Sequence, residues 1–371
     1  MKRIITGLVF VLFASSAFAD VAVIERRGLS GQTGPNKPKR EGRQQARTPG
    51  AVTLSDDLGL DYFINSNITF TTSSSASGAA SEATYAGPVQ ADTSGGGFVS
   101  SVLSDSFDGY GALCVSLDGS AGPCQSADGV GQIAGSSTVT MYNNNGAGTL
   151  DASCGNRQLI LNNQMFGAVR VQRKIFVPSN DTFIRWYQTF TNTGVATENV
   201  TAITSNNLGS DATTSIVTTS SGDALVTTAD TWATSFQAFS GTISSDVRLG
   251  HVFWGPGAAT GLNAINFVNG DDNPFWSYRF TLAPGETKAI MTFATGQPTR
   301  ALAAAKAAEL VGLPENATQC LSTAELNQTA NFAGQVPFVT EVPTVSTVGL
   351  IATALLLAGA SFFLLRRRTT V

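Results

Sequence analysis

Between Val169 and Val177 the chain alternates: Val169, Val171, Ile175 and Val177 lie on one side, broken by Arg173, and Arg170, Gln172 and Lys174 lie on the other. A side-chain period of two belongs to a half-buried strand. Pro178-Ser179-Asn180-Asp181 closes it, and a second strand follows from Thr182 to Thr191 with Ile184, Trp186 and Phe190 on one side. Two such strands with a short turn between them predict a hairpin. Later, Trp276, Tyr278, Phe280 and Leu282 alternate with Ser277, Arg279 and Thr281, and Pro284-Gly285 leads into Lys288–Thr295, which predicts a second hairpin. Shorter strands are expected from Leu60 to Thr72, Phe98 to Leu103, Tyr110 to Leu117 and Val130 to Tyr142. More follow at Val200–Ser205, Ile216–Thr219, Trp232–Phe239 and Val247–Trp254, with Gly-rich and Asp-Gly turns between them. The pattern predicts a mainly β fold, a large antiparallel β-sandwich over residues 51–297.

The period changes after Gln297. Thr299 can cap a helix through Ala303 and Lys306 to Leu313, which Pro314 ends, and Ser322 with Glu325 has capping-box spacing for a second short helix. This helical pair, residues 298–333, is expected to pack on one edge of the sandwich. Residues 334–344 read as a linker.

Both ends of the chain carry targeting patterns. Lys2 and Arg3, an apolar stretch from Ile4 to Phe13, and Ala17-Phe18-Ala19 before Asp20 describe a secretory signal peptide over residues 1–19 with cleavage signalled by Ala17 and Ala19. Residues 20–50 hold seven cationic side chains from Arg26 to Arg47 among Gly, Pro and Gln, and read as a flexible basic arm. Residues 345–365 are uncharged and apolar, long enough as a helix to cross a bilayer core of roughly 30 Å, and Arg366, Arg367 and Arg368 follow as a stop-transfer cluster in a tail of residues 366–371. One transmembrane helix is therefore expected after the helical pair.

Val342-Pro343-Thr344-Val345-Ser346, the apolar segment with Gly349 near its start, and the three arginines together resemble the IPTL-CTERM sorting signals of bacterial surface proteins, related to PEP-CTERM. The resemblance covers the last thirty residues and speaks to sorting alone. It implies processing of the tail by a membrane-embedded sorting protease of the exosortase type. The expected location is the bacterial cell envelope, with the domain outside the cytoplasm at the cell surface.

Composition adds to this picture chiefly through charge. Only 13% of residues are charged, and from Ala51 to Glu341 ten Lys and Arg face 23 Asp and Glu. An acidic exported domain of this kind is no partner for nucleic acid. Cys114, Cys124, Cys154 and Cys320 form an even set in an oxidising compartment, which predicts two disulfides. Three pairings are open; Cys114 with Cys124 and Cys154 with Cys320 is preferred, because turns at Asp118-Gly119 and Gly122-Pro123 bring the first pair together.

Catalytic signatures are sparse. His251 is the one histidine and reads as a hydrogen-bonded strand residue. Asp271 and Asp272 read as a turn, not as the paired carboxylates of a glycosidase, and Asp108, Asp118 and Asp128, each before Gly, read as turns and not as a calcium loop. The spacing of the cysteines and His251 does not suit zinc, so no metal, cofactor or catalytic residue is assigned. Trp232, Trp254, Trp276 and Tyr278 read as core, with a sugar-stacking platform as the competing reading. The Asn-x-Thr sequons at Asn67, Asn180, Asn199, Asn316 and Asn327 carry no assigned role. Two functions follow: a non-enzymatic, membrane-anchored surface protein with a structural or adhesive ectodomain, or a carbohydrate-binding or carbohydrate-active surface module. The expected partners are the membrane, the sorting protease and extracellular polysaccharide.

Overall fold

The computed structural model describes residues 51–66, 79–85, 103–107, 109–123, 138–143, 147–237 and 247–333. Three antiparallel sheets form the framework, and none of the three closes on itself. The smallest runs β1 (Ala51–Ser55), β2 (Leu60–Asn65), β3 (Ala80–Tyr85) and β4 (Leu103–Ser106) in chain order. The folded part thus begins before Leu60, and the strand expected there ends at Asn65.

The five-stranded sheet contains β5 (Ala112–Ser116), β6 (Thr140–Met141), β12 (Glu198–Ser205), β16 (Ala264–Asn266) and β17 (Phe275–Leu282). Its order is β16-β17-β12-β5-β6. The nine-stranded sheet is built from β7 (Thr149–Leu150), β8 (Gln158–Ile160), β9 (Gln164–Phe166), β10 (Val169–Phe176), β11 (Ile184–Asn192), β13 (Thr214–Thr219), β14 (Trp232–Gln237), β15 (Arg248–Val252) and β18 (Thr287–Gln297). It runs β13-β14-β15-β18-β11-β10-β8-β7, with β9 on β10.

The two larger sheets stack as in a sandwich. Val171, Ile175, Trp186 and Phe190 on one side meet Val200, Ala202, Trp276, Tyr278 and Phe280 on the other in a single buried cluster. Phe190 and Phe280 meet edge to face at 5.3 Å. Each large apolar side chain sealed there contributes about 1.5–3 kcal/mol.

The first expected hairpin forms: β10 and β11 pair from Val169↔Asn192 to Phe176↔Arg185. The second does not. β17 pairs with β12 and β16, whereas β18 pairs with β11 and β15, so the turn at Pro284-Gly285 carries the chain from one sheet to the other. Asn192 holds this crossing. Its Nδ2 donates to Leu282 O and Ala196 O, its carbonyl accepts from Gly285 N, and its own N–H donates to Glu286 O. The alternating apolar faces of β17 and β18 meet across the sandwich, an outcome that period two alone does not distinguish from a hairpin.

The helical region is α1 (Arg300–Val311), the single turn α2 (Glu315–Thr318) and α3 (Thr323–Gln328). Thr299 caps α1 and Ser322 forms a capping box with Glu325, as the sequence predicts. The position differs from the expected edge: the segment covers the outer face of the nine-stranded sheet. Ala307, Leu310, Leu313 and Phe332 pack on Phe183, Tyr187, Val252, Met291 and Phe293. Met291 and Phe293 point away from the sandwich, and only a third layer can bury them.

Polar links fasten that layer. Arg185, fully buried, donates from Nη1 to Ala317 O at 2.7 Å and Gln319 O at 2.8 Å. Lys174 pairs with Glu325 and Lys306 with Asp181. Asn331 bridges Met291 and Phe253. Cys154 and Cys320 form a disulfide, closing a loop of 166 residues in sequence. Cys114 is also disulfide-bonded, and its expected partner Cys124 lies outside the described residues. Among the described residues no helix is long and apolar enough to cross a membrane; residues 345–365 fall outside them.

Candidate functional site

Two clusters carry chemistry-bearing side chains. The first surrounds His251, whose place on β15 turns its ring into the space between the sheets. Tyr110 Oη lies 2.7 Å from Nδ1 and Ser235 Oγ 2.9 Å from Nε2, so both ring nitrogens are satisfied. Tyr110 stacks on the imidazole at 5.5 Å and Phe267 meets it edge-on at 5.1 Å. Burial alone pushes the imidazole down to about 3, which leaves it neutral at physiological pH. Its geometry suits a hydrogen-bonding pin between strands. With no exposure at His251 and 1% at Tyr110 and Ser235, no substrate reaches it.

Access lies elsewhere. An open cleft of about 500 Å3 sits where β5, β6 and β9 end, between an edge of each large sheet. Leu117, Phe166 and Met165 give it apolar walls, and Asp118, Thr138 and Thr140 give it polar ones. Asp118 follows β5 in a tight turn: Ser116 Oγ donates to its carboxylate at 2.5 Å and Ser120 N at 3.0 Å. These bonds, the one from Ser116 first, hold the exposed carboxyl below its ordinary range, so it is ionised. Ser120 Oγ in turn donates to Thr138 Oγ1 at 3.1 Å and ties this turn to the strand opposite. The result is a fixed acceptor and two exposed hydroxyls beside an apolar wall.

The other residues singled out in the sequence serve structure. Asp271 accepts from Asn273 N at 2.9 Å and Asp272 from Asn273 Nδ2 at 2.6 Å, next to Gly270 at φ +83°, which makes a turn. Trp276 and Tyr278 are buried between the sheets, Trp254 donates to Asp230 O, and Trp232 packs on the helical side. The four aromatics therefore build no common platform. Among the described residues no group of three or more His, Cys, Asp or Glu is placed to hold a metal. Ala17, Ala19, the motif Val342–Ser346 and Arg366–Arg368 lie outside the described residues.

No local pattern in the sequence marks the cleft. Its walls come from three strands far apart in sequence, and Asp118 is marked locally only as a turn.

No family model and no curated protein matches the chain. Among solved structures it is similar to a polysaccharide lyase at 12% identity and TM-score 0.32, covering 64% of this chain and 32% of that one. It is similar to a proposed kojibiose phosphorylase from the human microbiome at 10% identity and TM-score 0.36, covering 71% and 33%. A proposed aldose 1-epimerase from Escherichia coli K12 matches at 12% identity and TM-score 0.30, covering 66% and 98%. The chain spans about a third of the length of the first two. These likenesses are to carbohydrate-active enzymes, and the expectation of a non-enzymatic protein is corrected on that ground. At such TM-scores they assign the chain no reaction and no site.

Proposed function

We propose that this domain binds carbohydrate, as a carbohydrate-binding or carbohydrate-active surface module. The observation that carries the reading is the composition of the open cleft. A saccharide presents hydroxyls at its ring edge and C–H groups on its faces, so its site needs fixed polar groups beside an apolar surface. Asp118, Thr138 and Thr140 supply the first, and Phe166, Leu117 and Met165 the second.

Export belongs to the same proposal. The signal-like start with Ala17 and Ala19, and the tail from Val342 to Arg368, support delivery to the cell envelope by the signal-peptide route. The Cys154–Cys320 disulfide fits an oxidising compartment. On this reading an exosortase-type protease processes the tail, and the mass of the mature protein tests that.

Isothermal titration of the full chain in detergent against neutral and acidic oligosaccharides tests binding. Saturable heat that disappears in Asp118→Ala and Thr138→Val is the expected result. An absence of saturable binding to every saccharide would overturn the reading. Release of new reducing ends in the same samples separates an active module from a binding one.

A further inference from the structure

The domain has few cations, and nearly all of them are occupied. Of the ten lysines and arginines between residues 51 and 333, three, Lys174, Lys288 and Lys306, pair with carboxylates. Five arginines are buried or donate to backbone carbonyls. The two that are left, Arg170 and Arg279, are exposed, and neither makes a hydrogen bond or an ion pair among the described residues.

Each stands on the outward face of its own sheet, next to a residue of the cleft wall, one from each large sheet. Arg170 on β10 lies directly opposite Met165 of β9, a residue of the cleft wall. Directly paired residues share a face of the sheet with Cβ atoms about 4.5–5.5 Å apart. Arg279 on β17 reaches over Gly119, the residue after Asp118. A Cβ added at Gly119 would come within 2.7 Å of its Nη2, so glycine is what lets the guanidinium settle there. Between Arg279 and Ser116, the partner of Asp118, stands Thr201, paired with both in the sheet. Its Oγ1 is buried and has no hydrogen-bond partner.

An exposed arginine without a partner is unremarkable alone, because water solvates it. Two of them, the only free exposed cations among the described residues of an acidic domain, each next to a wall residue of the same cleft, need a common explanation. A guanidinium fork matches a carboxylate in two parallel hydrogen bonds. Resting on the carbohydrate reading above, we infer that the ligand is an acidic oligosaccharide bearing uronate carboxylates. Arg170 and Arg279 each take a carboxylate, while Asp118 accepts from ring hydroxyls and the exposed Met165 packs on the sugar between them.

Titration of the full chain with tetragalacturonate and with a neutral tetrasaccharide, at about 50 mM and about 200 mM salt, tests this. The acid should bind at least about tenfold tighter, and Arg170→Gln and Arg279→Gln should each weaken it about tenfold and leave the neutral sugar unchanged. Arg279→Lys keeps the charge without the fork and should recover only part of the loss. Higher salt should weaken the acid selectively. Equal affinity for the two sugars, or arginine variants that leave the acid unchanged, would overturn the inference while the carbohydrate reading stands. If neither sugar binds, both fail.

Discussion

Within one sandwich, the His251 cluster and the Asp118 cleft show how access, more than residue type, divides structure from function. His251, Tyr110 and Ser235 form the arrangement that a search for catalysis would seize on, a histidine with a hydroxyl on each ring nitrogen. They lie under Trp186, Phe267 and Trp276, and the imidazole is neutral because water cannot reach it. Asp118 has no histidine near it in sequence. It faces solvent, and the hydrogen bonds that fix it keep it ionised. Carboxylates repeat the contrast: burial raises Asp56 to about 7, although the Leu60 and Leu58 N–H groups and Tyr62 donate to it, while the exposed Asp118 is shifted down.

If the sealed cluster is structural, its variants should lose stability and keep ligand binding at temperatures where they are folded. Trp186→Ala opens the largest hole, costing about 3–5 kcal/mol in chemical denaturation. Gly111 packs so closely on Trp186 that a Cβ there would sit 2.6 Å from the ring, and its φ of +78° resists other residues. Gly111→Val should therefore unfold the domain outright.

Next in size is His251→Phe, which strands the Tyr110 and Ser235 hydroxyls at a cost of about 2–4 kcal/mol. It should also remove a pH dependence. Between about 3 and the ordinary 6.5, the unfolded chain binds a proton at His251 that the folded chain refuses, so stability falls as pH drops through that window. The variant should lose this acid-side slope in denaturation midpoints.

Asp56→Asn is smaller and opposite in sign. From the ordinary 3.8 up to about 7 the folded state holds a proton that the unfolded state releases, so stability falls as pH rises through that range. The amide should remain accessible to the Leu58 and Leu60 N–H groups and gain on the order of 1–2 kcal/mol near pH 8, measured by urea denaturation. At the open site, Asp118→Asn should leave the melting temperature in place and abolish saccharide binding. A large stability loss there would break the contrast.

Much of the sealed region was legible. The alternation Val169–Val177 and the run Ile184, Trp186, Phe190 gave β10 and β11 their faces, and Thr299, Ser322 and Glu325 marked the helix starts. The pairing of β17 with β18 was not, because alternation reports which face is buried and says nothing of the partner. Ala289, Ile290, Met291, Phe293 and Ala294 are apolar on both faces, as in a strand covered on each side. That run announced the helical layer. The cleft left no such trace, since Asp118, Thr138 and Met165 meet only through tertiary pairing.

Hydrogen exchange of the full chain, with and without saturating oligosaccharide, compares the two regions in one experiment. Protection should appear in peptides holding Val115–Asp118, Thr138–Thr140 and Met165–Gly167, with no change in the peptide holding Leu249–Val252 around His251. Protection confined to the His251 peptide, with the cleft peptides unchanged, would contradict the account.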